Sequence, residues 1–297
     1  MKKLNIIGCG NVGKTLAHLW SKQKIFTIGD IVNQSTESNL AAIQFIGSGQ
    51  TASSVSAMHP AEVYLIGTPD DQIIESCNEL ASCGLLRKGD TVFHCSGALP
   101  SSSLNSAKQA SAGIASVHPV KSFANPVASS TSFEGTYCGV EGDKNSLDIL
   151  SSAFEAIGGK TFDIDPQFKT LYHAGSVMVC NYLTSLIEVG TQSYLKAGLD
   201  KETSLKVMEP IVRGTIDNIF STNTVSALTG PIARGDHATV SRQLTALFDW
   251  NPEYGELYRN LGNVALELSR LQGSASPDSL AMLAEILDPA HIQKPDL

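Results

Sequence analysis

No stretch of this sequence approaches the roughly 20 consecutive apolar residues that a membrane-spanning helix needs. Lys2-Lys3 ahead of Leu4-Asn5-Ile6-Ile7 looks like the start of a secretion signal, but glycines interrupt the apolar run far short of a signal core. Neither a basic run nor a basic-aromatic alternation is present, and 21 Lys+Arg against 29 Asp+Glu gives a net charge of −8, which argues against nucleic acid as a partner. The six cysteines (Cys9, Cys77, Cys83, Cys95, Cys138, Cys180) show no C-x-x-C spacing and sit mostly in apolar segments. They fit small buried hydrophobes in a reducing cytoplasm, with no metal bound. Internal repeats and low-complexity tracts are also lacking. At 42% hydrophobic and 17% charged residues the chain has the composition of a folded protein. Its 297 residues suggest two domains at about 150 residues each.

What is present is an alternation. Residues 4–8 read as a short buried strand, and Val12, Leu16, Leu19 and Trp20 follow at helical spacing. Strands are expected near 26–32, 63–66, 91–95 and 114–117, with a helix through 72–81. Two more strand candidates, 136–140 and 160–164, bracket a helix at 146–157. Strands alternating with helices imply a parallel sheet covered on its faces. After Asp165-Pro166 strand signals cease, and apolar stripes of period 3.6 predict helices near 167–197, 201–221, 238–249, 253–272 and 277–287. Pro210 is expected to kink or break the second of these. The fold class expected is therefore an α/β dinucleotide-binding domain over 1–165 followed by an all-α domain over 166–297.

Gly8-Cys9-Gly10-Asn11-Val12-Gly13 is a G-x-G-x-x-G loop, informative because it joins the first strand to the first helix. In a Rossmann-type unit the first glycine permits the tight turn, the second lets the backbone approach a pyrophosphate, and the third allows close helix–sheet packing. NAD-binding units usually place Asp or Glu at the tip of the second strand; here the tip reads Asn33-Gln34-Ser35, and Asp30 falls inside the strand. An uncharged tip tolerates a 2′-phosphate, although Gln34 stands where an arginine would favour it. NADP(H) is the expected cofactor.

Ligands in open α/β sheets lie beyond the carboxyl ends of the strands, so the turns at Thr68-Pro69 and Ser96-Gly97 should border the crevice. Thr68 and Pro69 are candidate cofactor contacts, with plain turn chemistry, Asp70 or Asp71 capping the next helix, as the alternative. Ser96 and Gly97 are candidate substrate contacts. His118-Pro119 ends another strand and points the same way, or is merely a restrained turn. In the helical part, His173 and Asn181 project within roughly 80° of each other and could face one cleft. Either could polarise a carbonyl, although a lone histidine can equally be an interdomain packing residue. Lys169, near the polar start of that helix, reads as a solvated charge. Arg234, in Thr229-Gly230-Pro231-Ile232-Ala233-Arg234-Gly235-Asp236, could hold a carboxylate by two parallel hydrogen bonds or clamp a helix end. Asp236 suits an N-cap.

The glycine loop, Phe93-His94-Cys95-Ser96-Gly97, Val117-His118-Pro119, Tyr172-His173-Ala174 through Asn181, and Leu228-Thr229-Gly230-Pro231 with Arg234-Gly235-Asp236 resemble a family of Rossmann-like proteins with a C-terminal helical domain of unassigned function. That family is related to ketopantoate reductases, 6-phosphogluconate-dehydrogenase-like enzymes and pyrroline-5-carboxylate reductases. The resemblance implies reduction of a small carboxylate-bearing ketone or imine, ketopantoate first, with pyrroline-5-carboxylate or a 3-hydroxyacid as alternatives. It also implies a homodimer formed through the helical domain; the apolar stripes there exceed what a bundle of that size would bury alone, and they face either a second copy or the chain's own dinucleotide domain. Ketopantoate reductases and 3-hydroxyacid dehydrogenases typically carry a catalytic Lys four residues before an Asn on the first long helix; here Val177 stands four residues before Asn181. That departure leaves His173 to take over, or a redox-sensing module that binds NADP without turnover.

Overall fold

The computed structural model describes residues 1–291 and divides into two compact units, Met1–Tyr182 and Leu183–Leu297. In the first, β1 (Lys2–Ile7) turns through the glycine loop into α1 (Asn11–Lys22), and β2 (Phe26–Val32) leads to α2 (Thr36–Ile46). There follow β3 (Gln50–Thr51), β4 (Val63–Ile66), α3 (Ile73–Ser82), β5 (Thr91–His94), α4 (Asn105–Gln109) and β6 (Gly113–Pro119). The unit's strands close with α5 (Pro126–Thr131), β7 (Tyr137–Gly142), α6 (Lys144–Ala156) and β8 (Lys160–Asp163). They make one eight-stranded sheet in the order β3-β2-β1-β4-β5-β6-β7-β8. Its pairings are parallel except β6 with β7, which is antiparallel. The order reverses between β1 and β4, and such a reversal opens a crevice at the strands' carboxyl ends.

Period-two alternation deals the strand residues to two cores. Leu4, Ile6, Leu65, Phe93, Ala115 and Val117 join one cluster, while Ile7, Tyr64, Ile66, Val92 and Ile114 join the other. The first is anchored by Trp20 of α1. Its ring meets Phe26, Phe93 and Phe154 edge-on, and its Nε1 donates to the Ala153 carbonyl at 2.9 Å. Edge-to-face pairs add about 0.5–1.5 kcal/mol each beyond simple burial.

The remaining helices are α7 (Lys169–Lys196), which runs on into the second unit, α8 (Lys201–Ser221), α9 (Thr224–Ala227), α10 (Gly230–Ala233), α11 (His237–Trp250), α12 (Pro252–Gln272) and α13 (Pro277–Leu287). Local chemistry sets their starts. Asp200, Asp236, Asn251 and Ser276 each accept a first-turn backbone N–H, and α12 and α13 carry proline in the first turn. The second unit's own core is small: Ile232, Val240, Leu266, Leu283 and Leu287.

The long helices and the strands lie close to their expected places, and an α/β unit is followed by a helical one as expected. The differences are physical. β7 runs antiparallel to β6, so the sheet is mixed. α2 and β3 were not anticipated, because Thr36–Ile46 has a polar first half and no clear stripe, and a two-residue strand carries no period. α8 continues through Pro210, which is exposed, so the carbonyl it leaves unbonded can meet water. The expected boundary at 165/166 marks where strands end, yet the compact unit extends to Tyr182 because the first turns of α7 are bonded to the sheet. Residues 292–297 of the expected second domain lie outside the described residues.

Candidate active site

The glycine loop is fixed from three sides. Gly8 has φ +81°, and a Cβ there would come within 2.6 Å of the Thr68 backbone nitrogen. Gly8 N–H donates to the Val32 carbonyl at 2.7 Å, and Cys9 N–H donates to Asn33 Oδ1 at 2.5 Å. Asn33 thereby ties the tip of β2 to the loop, and its Nδ2 is buried with no partner among the described residues. A Cβ on Gly10 would meet nothing within 4 Å, and Gly10 begins α1 without a side-chain cap, so open space faces the N-terminus of a 12-residue helix. An orphaned donor beside an open helix N-terminus fits a phosphate-bearing dinucleotide.

Other loop residues have duties of their own. Cys9 is buried, its thiol pushed up to about 12 by burial, and its amide is held by Asn33, so it shapes the loop instead of contacting a ligand. Asn11 Nδ2 donates to the carbonyls of Phe123 at 2.9 Å and Ala124 at 3.2 Å, holding the segment after β6 against the loop. Val12 packs on the core. A Cβ on Gly13 would make contacts of 3.4 Å or more, so close packing favours glycine there without demanding it. Gln34 is exposed, and Ser35 caps α2 by accepting Ser38 N–H at 3.2 Å. Asp30 is inside its strand as expected, taken up by Gln50 Nε2 and His59 N–H at 2.6 Å each.

Around the ends of β5 and β6 a polar cluster assembles. Asp70 does not cap α3; its Oδ2 accepts Ser96 Oγ at 2.7 Å. Ser96 Oγ in turn accepts the N–H groups of Ala98 at 3.1 Å and Leu99 at 3.0 Å. A hydroxyl has one donor and two acceptor sites, and all three are taken, so Ser96 is a loop-shaping residue and not the substrate contact expected of it. Gly97 fares differently: a Cβ there would fall onto His173 Nδ1 and come within 2.8 Å of His118 Nε2. The His118 and His173 rings meet edge-on with centroids 5.6 Å apart. His118 Nδ1 pairs with the Tyr172 hydroxyl at 2.9 Å. Burial, then His173 and Lys169, push His118 down to about 4, so it is neutral at pH 7. His173 Nδ1 is buried with no partner among the described residues.

Lys169 overturns its reading as a solvated charge. It is buried, with Nζ donating to Glu141 Oε1 at 3.1 Å and to Ser116 Oγ, while burial pulls its pKa below the usual lysine range. Glu141 also accepts Ser101 N–H at 2.6 Å and Ser101 Oγ at 2.7 Å. His94, beneath them, accepts Ser96 N–H at Nδ1 and faces the Pro100 carbonyl with Nε2; burial first, then Lys169, push it to about 4.

Residues 2–119 match the Rossmann-like domain family, and residues 136–265 match a domain of unknown function (DUF2520). The chain joins a Rossmann-like domain to a DUF2520 domain. Among solved structures, a Thermotoga maritima protein superimposes with a TM-score of 0.72 at 27% identity, over 91% of this chain and 99% of the other. A Bacteroides fragilis protein described as a candidate NADP oxidoreductase gives 0.70 at 19% identity, over 91% and 97%. A pyrroline-5-carboxylate reductase from Coxiella burnetii gives 0.57 at 17% identity, over 96% and 98%. The last two likenesses show a shared fold. A comparison with curated proteins found no match.

The two matches divide the cluster between them: Gly97 and His118 lie in the Rossmann-like part, whereas Glu141, Lys169, Tyr172 and His173 lie in the DUF2520 part. Of the residues singled out from sequence, Gly97, His118 and His173 are brought together. Thr68 stands against Gly8, and Pro69 leads into a tight turn at Asp70–Gln72. Asn181 is two turns beyond His173 on α7, about 12 Å along the axis, too far for both to reach one oxygen. Arg234 belongs to the helical unit, exposed at the end of α10, and Asp236 caps α11 by accepting Thr239 N–H at 3.0 Å. Sequence reasoning passed over Glu141, Lys169 and Tyr172 as site residues; a carboxylate inside an otherwise apolar strand, at Val140-Glu141-Gly142, was the signal available.

Proposed function

We propose that this chain is an NADP(H)-dependent oxidoreductase acting on a small carboxylate-bearing ketone or imine, with ketopantoate the leading candidate and pyrroline-5-carboxylate or 3-hydroxyacid chemistry as alternatives. The observation that carries the reading is the meeting of His118 and His173 over Gly97, at the ends of the strands that follow a glycine loop with open space before it. Bound in that crevice, the nicotinamide would supply the hydride. The chain's own task is to hold the substrate and polarise its carbonyl or imine, which the neutral His118 ring and the His173 ring beside it suit. Arg234, with no ion pair among the described residues, is the candidate carboxylate anchor.

NADPH is favoured over NADH because Asn33-Gln34-Ser35 carries no negative charge and Asp30 is already taken up by Gln50 and His59. Mixing the protein with NADPH and a panel of small keto acids and cyclic imines, followed by absorbance, tests the reading. Turnover of none, with stoichiometric NADPH binding, would favour the redox-sensing alternative. Asn33→Asp keeps an acceptor for Cys9 N–H while adding a charge, so it should weaken NADPH and spare NADH. Calorimetry showing equal losses would count against the cofactor assignment.

We also propose that the helical unit pairs with a second copy of the chain. α8 buries only Ser204 and Met208 along its 21 residues, and helices in proteins draw most of their stability from packing an amphipathic face. Between α7, α8 and α12 runs an apolar groove of about 800 Å³, lined by Leu186, Ile187, Met208, Ile211, Leu257 and Leu261 among others. An interface of like helices would cover it.

A further inference from the structure

The Tyr172 hydroxyl has one hydrogen-bond partner among the described residues, His118 Nδ1 at 2.9 Å. A phenol is a strong donor and a poor acceptor, and an imidazole nitrogen without a proton is a good acceptor. Burial keeps the Tyr172 proton on its oxygen, its pKa raised to about 12. The same burial keeps His118 neutral, so its ring carries one proton to place on one of two nitrogens. Three rings fix the geometry: Tyr172 meets His118 edge-on at 5.6 Å and Phe162 at 6.1 Å, so the phenol cannot swing away without losing both contacts. The charged and titratable groups around His118 are His173, Lys169 and Asp70 besides Tyr172, and none of them hydrogen-bonds to its Nε2 among the described residues.

We propose that Tyr172 is a positioning residue: its hydroxyl donates to His118 Nδ1, holds the ring as the Nε2–H tautomer, and so presents a neutral N–H over Gly97 to a carbonyl or carboxylate oxygen of the ligand. This deepens the reductase reading and rests on it for the identity of the oxygen; the tautomer itself does not depend on turnover. The consequence is directional. An Nε2–H polarises an oxygen and cannot accept a proton from the substrate, so His118 acts as a donor and not as a general base.

The test is the nitrogen spectrum of full-length protein labelled with 15N at histidine, with His118 signals assigned by their loss in His118→Asn. At pH 7 the proposal expects a protonated Nε2 and an unprotonated Nδ1. Tyr172→Phe keeps the ring contacts and removes the donor; His118 should then populate both tautomers, with kcat falling about tenfold and KM nearly unchanged. A protonated Nδ1 in the unaltered protein, or a tautomer indifferent to Tyr172→Phe, would overturn it. Should Tyr172→Phe fail to fold, the unaltered protein alone still decides, because a protonated Nδ1 leaves the hydroxyl nothing to donate to. Absence of turnover with every carbonyl tried would sink the reductase reading while leaving the tautomer result standing.

Discussion

The two units of this chain place their lysine–glutamate pairs and their apolar surface differently. In the sheet unit, Lys169 and Glu141 are buried and bonded to each other, and Trp20, Phe93 and Phe154 are enclosed on all sides. In the helical unit, the ion pairs Lys206–Glu202 and Arg213–Glu209 stand in solvent, and Ile211, Leu261, Val264 and Phe220 are exposed. The first unit encloses two large cores and exposes apolar residues mainly on its outer helices and on α7, at Leu171, Met178 and Val179, whereas the second has a small core and leaves the apolar faces of α8 and α12 largely uncovered. The lesson is that the same kinds of residue mean different things by setting: a lysine near a helix start is a buried cluster member in one unit and a screened surface charge in the other.

The sharpest way to break the comparison is at Lys169. Lys169→Met should destabilise the protein by about 3–5 kcal/mol, because Glu141 is left buried without its counter-charge. Adding Glu141→Gln should recover part of the loss, and chemical denaturation of both variants measures it. A single variant as stable as the unaltered protein would mean that the buried pair is not sustained in solution.

In the helical unit the exposed apolar face is the corresponding weak point. Ile211→Asp should convert a dimer to a monomer and remove the dependence of Tm on protein concentration, read by light scattering and thermal melts. A monomer in the unaltered protein at high concentration would instead show that these helices stand uncovered.

A milder effect is expected from acid. His94 and His118 are held near 4 in the fold against an ordinary 6.5, so the unfolded chain takes up protons that the folded chain refuses. The stability that these neutral rings contribute is complete above pH 6.5 and is lost as pH falls towards 4. Tm should decline across that window, and less so in His94→Gln; a flat profile would contradict both burials. The smallest effect belongs to Lys206→Ala, whose pair with Glu202 is screened by solvent and should contribute about 0.5 kcal/mol or less. A loss comparable to that at Lys169 would erase the contrast between the units.

Much of this architecture was legible beforehand, because burial leaves a period. Val63–Ile66 and Thr91–His94 read as strands from apolar runs, and α12 read as a helix from its stripe. What periodicity does not contain is direction, and so the antiparallel entry of β7 was invisible. Nor does it contain partners. Ser96 looked like a substrate contact because it follows the carboxyl end of a sheet strand, where ligands of such sheets lie, yet Asp70, Ala98 and Leu99 occupy its hydroxyl completely. Lys169 looked solvated because its sequence neighbours are polar, while the carboxylate that retains it lies 28 positions earlier. His118 and His173 were both singled out, but only three-dimensional closure shows that they share Gly97 as a floor.

That floor bears on how such a site can change over generations. Alanine is the smallest step away from glycine, and at position 97 its methyl group would already strike both imidazoles. Any side chain at this position therefore forces one or both rings to move, and the position resists change as long as His118 and His173 keep their places. A shift in what the pocket accepts has to be written in the residues around the two rings, and a saturation library should find position 97 silent while its neighbours vary.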